Sequence, residues 1–143
     1  MTRVDFYILP DIDDDARMRF ACRLAYKALT GGNRIHVHTR DDQHQNSLNQ
    51  LMWEYPDHQF LPHASIGETN AHQPVVIGCG DPLDDFDQVL INLNDSVPTF
   101  FGRFERVAEI IVDSVKAQGR SKYKYYRDRG YPLFHHQLEN WDD

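Results

Sequence analysis

The chain has 143 residues, 41% of them hydrophobic and 26% charged, with a formal net charge of −7. That length suits one compact domain whose core needs no disulfide or metal staple, and the spread of apolar runs excludes a disordered chain. The apolar start meets Pro10 and a run of aspartates too early for a signal-peptide core or a membrane span, so no membrane contact and a cytoplasmic location are expected.

In chain order, Arg3 to Leu9 reads as a strand. A helix follows from about Asp11 to Leu29, with acids in its first turn, Arg17, Arg19 and Arg23 outside, Ala21, Leu24, Ala25 and Ala28 inward, and Gly31-Gly32 ending it. Residues 34–39 alternate as a strand, with His36 and His38 on the face opposite Ile35 and Val37, where solvent exposure explains them. Residues 40–55 read as a second helix with an apolar stripe of Leu48, Leu51 and Met52, closed by Pro56. Residues 59–63, 74–79, 88–93 and 105–112 read as short strands, and a last helix runs from about Asp113 to Arg129. The pattern predicts an α/β fold, a mixed and mostly parallel sheet flanked by helices, with residues 1–133 as a single domain and 134–143 as a flexible tail. Cys22 and Cys79 lack CxxC spacing and read as buried thiols.

An α/β chain invites a nucleotide-binding reading, which fails at the first strand-to-helix turn. Phosphate needs glycines that bring backbone N–H groups close at a helix N-terminus, whereas this turn offers Pro10 and nearby aspartates. Gly78 opens a GxG without a third glycine. No cofactor is therefore expected. Asp13, Asp14 and Asp15 suit a helix dipole as well as a cation, and the eight histidines form no HExxH or paired Cys/His set, so no metal is expected. No GxSxG or other nucleophile motif occurs, and the chain does not read as an enzyme.

The last helix stands out. At 3.6 residues per turn, Lys116, Arg120, Tyr123, Lys124 and Arg127 fall in one stripe, with Lys122, Tyr126 and Arg129 on a different side. Cations complementing the helix C-terminus and tyrosines at a core edge explain that pattern as well as binding does. A ligand for it would be acidic: nucleic-acid phosphate, or a short acidic peptide, which needs only the local patch in a chain of net charge −7.

The opening strand VDFYIL, the first helix ACRLAYKAL leading to GGNRIHVHT, the segment LMWEYPDHQFLPH, the strand VLINL followed by FFGRFERVAEIIV, and the ending KYKYYRDRGY occur in an order and spacing that resemble the chi subunit of bacterial DNA polymerase III holoenzyme over most of the chain. The resemblance implies a Rossmann-like three-layer domain without a nucleotide site. It also implies a non-catalytic accessory of the clamp loader that binds the psi subunit and the acidic C-terminal tail of single-stranded DNA-binding protein, reaching DNA only indirectly. The family's tail-binding residues match Lys116, Arg120, Tyr123 and Lys124, with Arg127 continuing the stripe and Ile111 as a further apolar wall for the tail's terminal phenylalanine. Gly119 within that helix is a departure expected to loosen it. The resemblance places the psi-binding patch at Phe60, with Trp53, Leu61 and Pro62 near it, a surface for which a repair helicase would compete. A direct single-stranded nucleic-acid binder, stacking bases on Tyr123, Tyr125 or Tyr126, is the alternative.

Overall fold

The structure, a computed structural model, describes residues 2–55, 61–66 and 73–141. Its elements are strand β1 (Arg3–Ile8), helix α1 (Asp14–Thr30), β2 (Ile35–His38), α2 (Asp42–Glu54), β3 (His63–Ser65), β4 (Val75–Gly78), β5 (Val89–Asn92), β6 (Arg106–Ile111), α3 (Lys116–Asp128) and β7 (Leu133–Gln137). The helices begin where local chemistry allows. The Asp13 carboxylate caps α1 by accepting from Ala16 N, and Asp41 caps α2 by accepting from His44 N. After Thr30, Gly32 takes φ 85°, a left-handed conformation that glycine adopts without strain.

The strands form one seven-stranded sheet in the order β3-β4-β2-β5-β6-β1-β7. Every pair is parallel, where the sequence suggests a mixed sheet. Three of the connections are helical crossovers, with α1, α2 and α3 each carrying the chain back across the sheet before the next strand begins. Both sheet faces are covered, so β2, β3, β4 and β5 are buried along their whole length. One core lies under α1 and α2 and includes Ile35, Val37, Leu48, Met52, Ile91 and Ile110. The other lies under α3 and the 3-10 turn Phe101–Arg103 and includes Phe6, Leu90, Phe104, Val107, Ile111 and Tyr126.

Three expectations are corrected here. His36 and His38 do share the face opposite Ile35 and Val37, but that face is interior: both are buried, and both pack edge-to-face on Phe100. Cys22 is buried, whereas Cys79 is only half-buried, its Sγ 3.4 Å from Asp42 Oδ1. Residues 134–141 are not a loose tail, because most of β7 falls within them. β7 pairs with the outer edge of β1, from Val4↔Leu133 to Ile8↔Gln137. Beyond β7, Leu138 N donates to Ile8 O at 3.0 Å, and Trp141 Nε1 donates to Asp11 Oδ2 at 2.7 Å with its ring edge-on to Phe20. The exposed β1 edge supplies backbone partners that make this polar, outward-facing segment a strand.

Candidate functional site: the exposed flank of the last helix

α3 follows β6 through the 3-10 turn Asp113–Val115 and crosses over the second core. Its buried positions are Gly119, Lys122 and Tyr126, spaced at three and four residues. Lys122 is only 3% exposed, although its charge suggests a surface residue. It is held by Glu109 of β6: Lys122 Nζ donates to Glu109 Oε1 at 3.0 Å and to the Asn94 carbonyl, Tyr126 OH donates to Glu109 Oε2 at 2.7 Å, and Asn92 Nδ2 donates to the same oxygen at 2.8 Å. Burial pulls the Lys122 pKa down despite the opposing pull of Glu109, and burial followed by the Glu109 charge pushes Tyr126 up. Three donors on one buried carboxylate satisfy the charge that the core cannot solvate.

Gly119 belongs to the same clamp. A Cβ there would stand 2.9 Å from Ile111 Cδ1, so glycine lets the helix approach β6 closely; the expected loosening is replaced by tight packing. Ile111, expected as a further apolar wall, is 8% exposed and lies beneath Gly119.

With one face locked down, the opposite flank is presented at a fixed orientation. Lys116, Arg120, Lys124 and Arg127 are exposed and Tyr123 is half-buried, which is the stripe read from periodicity. Lys116 Nζ pairs with Asp113 at 3.1 Å, and Arg127 pairs with Asp128 at 3.4 Å while its guanidinium lies 5.9 Å from the Tyr123 ring centroid. Arg120 and Lys124 have no carboxylate partner among the described residues. Tyr123 packs edge-on to Phe6, with centroids 5.8 Å apart, and against His135 of β7 at 5.1 Å. Tyr126 is interior, and Tyr125 sits between Phe101 and the Arg129 guanidinium, 3.5 Å from its centroid. Neither ring is free to stack on a base.

At the carboxyl ends of β5 and β6, where parallel α/β sheets hold ligands, the chain places Arg17. The sequence puts this side chain outside, yet it is fully buried. Its Nε donates to Ile110 O at 2.8 Å, and Nη1 donates to Leu93 O at 3.1 Å and to Asp14 at 3.3 Å. His44 Nδ1 accepts from Arg40 N, which directs Nε2 toward Asp14 at 3.2 Å. Burial alone would raise the Asp14 carboxyl, but the His44 hydrogen bond and the charges of Arg17, His44 and Arg40 bring it down to about 2. At this end of the sheet Arg17, Arg40 and His44 all converge on Asp14.

The family model described as DNA polymerase III chi subunit, HolC, matches residues 1–134. A chain named DNA polymerase III subunit chi from Pseudomonas aeruginosa is 40% identical over 140 residues, covering 96% of this chain and 98% of that one. The chain belongs to the DNA polymerase III chi subunit family. Proteins of the same name from Haemophilus influenzae and Escherichia coli are 26% and 27% identical, over 90% and 93% of this chain and 92% and 96% of theirs.

The second surface expected of a chi-family chain is partly described. Trp53, on the last turn of α2, is 63% exposed, with its ring 4.6 Å from that of His63. Leu61 is buried, Pro62 is half-buried, and Phe60 lies outside the described residues. Among the described residues no group of three or more His, Cys, Asp and Glu side chains is placed to hold a metal, and no helix is long and apolar enough to cross a membrane.

Sequence reasoning missed Glu109, Asn92 and Arg17 as interior groups and His135 as a neighbour of the stripe. Only the spacing of Lys122 and Tyr126, which puts both on one side of the helix, carried a usable signal.

Proposed function

We propose that this chi-family chain is a non-catalytic adaptor of the replicase. The exposed flank of α3 binds the acidic C-terminal tail of single-stranded DNA-binding protein, and the surface around Trp53 binds the psi subunit, linking the clamp loader to coated DNA. The observation that carries this reading is the pair Arg120 and Lys124. In a chain with 22 acids and 15 Lys and Arg residues, two neighbouring cations lack carboxylate partners among the described residues, on a helix pinned from beneath and beside an aromatic ring. Such cations are poised for charge-assisted hydrogen bonds to carboxylates from outside. Their local field does not depend on the net charge, which opposes long-range approach to nucleic acid. Linking two partners raises the effective concentration of the loader on coated DNA, so modest individual affinities suffice.

Calorimetric titration with a synthetic peptide of acidic residues ending in Pro-Phe, beside the same peptide without its phenylalanine, tests the reading. Micromolar affinity, about −8 kcal/mol, is expected for the full peptide, with large loss on truncation. Arg120→Ala and Lys124→Ala each weaken binding by roughly ten- to a hundred-fold, the range for losing a hydrogen bond to a charged group. Lys116→Ala has a smaller effect, because Asp113 already holds that ammonium. Unchanged affinity in both Arg120→Ala and Lys124→Ala sinks the site, and tight binding of naked oligonucleotide favours the nucleic-acid alternative.

A further inference from the structure

The edge strand β7 lies beside the cationic flank of α3. Tyr123 of that flank lies against His135, and the His135 ring stacks on Phe6 with centroids 5.8 Å apart. The register of β7 on β1 sets Leu133, His135 and Gln137 beside Val4 and Phe6, which belong to the core beneath α3, and Ile8, which packs against it. The alternate residues of β7 face the other way: His136 Nε2 lies 2.8 Å from Asp5, and Phe134 lies beneath the Arg3 guanidinium at 3.9 Å. On the α3 side, His135 and Gln137 are exposed. Neither ring nitrogen of His135 has a hydrogen-bond partner among the described residues. β7 contains no acidic residue, and the only one in α3 is Asp128 at its end.

Accepting the tail-binding reading on which this rests, we infer that β7 forms the second wall of a groove along α3 and that His135 contacts a carboxylate of the acidic segment bound there. The chemistry favours an extended acidic peptide. Cations stand on the helix side and an imidazole donor on the strand side, while the partly exposed Tyr123 and Ile8 provide apolar surface between them. An extended segment lying beside a strand satisfies its own backbone partly from solvent, so its side chains alternate between the two walls.

A charge scan at position 135 separates contact from packing. His135 is exposed on an edge strand, so Glu and Lys are both tolerated by the fold, and thermal unfolding of each variant is expected to match the parent. His135→Glu is expected to weaken the Pro-Phe-ended acidic peptide about tenfold, through repulsion and by pairing with the α3 cations, whereas His135→Lys binds as tightly as the parent or more so. Arg120→Ala is run alongside. If the parent protein binds no peptide, the tail reading itself fails. If the parent binds and Arg120→Ala weakens it, but both position-135 variants bind like the parent, the β7 wall is overturned. Equal weakening by Glu and Lys in folded proteins overturns the charge contact and leaves only shape.

Discussion

His36 is buried on the same side of the sheet as Phe100 and Phe104, edge-on to the first and stacked on the second, and among the described residues neither of its ring nitrogens has a hydrogen-bond partner. Burial, aided by the charges of His38 and Arg103, brings its pKa down to about 3 from 6.5. The unfolded chain therefore takes up a proton near pH 6.5 that the folded chain refuses until about pH 3, and stability falls with pH across that window by up to about 1.4 kcal/mol per unit. His38, also pulled down by burial, adds to the same slope. Asp14 acts lower: its depressed pKa stabilises the fold above 3.8, and that contribution is lost as pH falls toward 2. Between pH 7 and 5 the histidines thus dominate. Urea unfolding at pH 7, 6 and 5 is expected to show falling stability, with His36→Leu flattening the slope and leaving the part due to His38; an unchanged slope in that variant rules out the buried neutral imidazole. Sequence alternation placed His36 opposite Val37, but nothing local to β2 showed that the Phe100–Phe104 turn would cover that face.

At the scale of the element, α3 is a clamped helix. Its periodicity made the stripe legible, because angular position around a helix depends only on spacing. Depth was not legible: Lys122 reads as one more cation until Glu109, on a strand crossing beneath it, supplies a buried carboxylate. Removing one partner of such a pair leaves the other charge in the core, which typically costs about 3 to 5 kcal/mol. Lys122→Met is expected to lose roughly that much in urea unfolding, and Lys122→Met with Glu109→Gln is expected to recover a large part of it. A loss below about 1 kcal/mol for the single variant would mean that solvent reaches the pair. β7 was illegible for a related reason. Its five residues carry no apolar alternation, and only pairing with β1 makes them a strand.

At the scale of the molecule, the two proposed surfaces lie on opposite faces of the sheet: α3 covers one core, and α2, which carries Trp53, covers the other. Seven parallel strands separate them, so partners on the two faces do not collide. Arg120→Ala is accordingly expected to weaken the acidic peptide while leaving psi binding unchanged, and Trp53→Ser to do the reverse, each measured by titration with one partner already saturating. A shift of more than about threefold in one affinity on saturating the other site would indicate coupling through the sheet. The acidic surface keeps the same logic at long range, since a net charge of −7 discourages bare nucleic acid while the local cations of α3 remain available.

The sequence by itself determined the α/β class, the acidic first turns of α1 and α2 to within a few residues, the cationic stripe from Lys116 to Arg127, and the chi-family pattern. Caps, periodicity and motif order act over a few neighbouring residues, so they can be read from those residues alone. The tertiary structure decided which polar groups are interior and which segment closes the sheet. Arg17 is buried because it meets the carbonyls of Leu93 and Ile110, Lys122 because it meets Glu109, and β7 is a strand because it meets β1. Each of these depends on a partner distant in the chain, and burying a charge or a bare backbone edge is favourable only when that partner arrives.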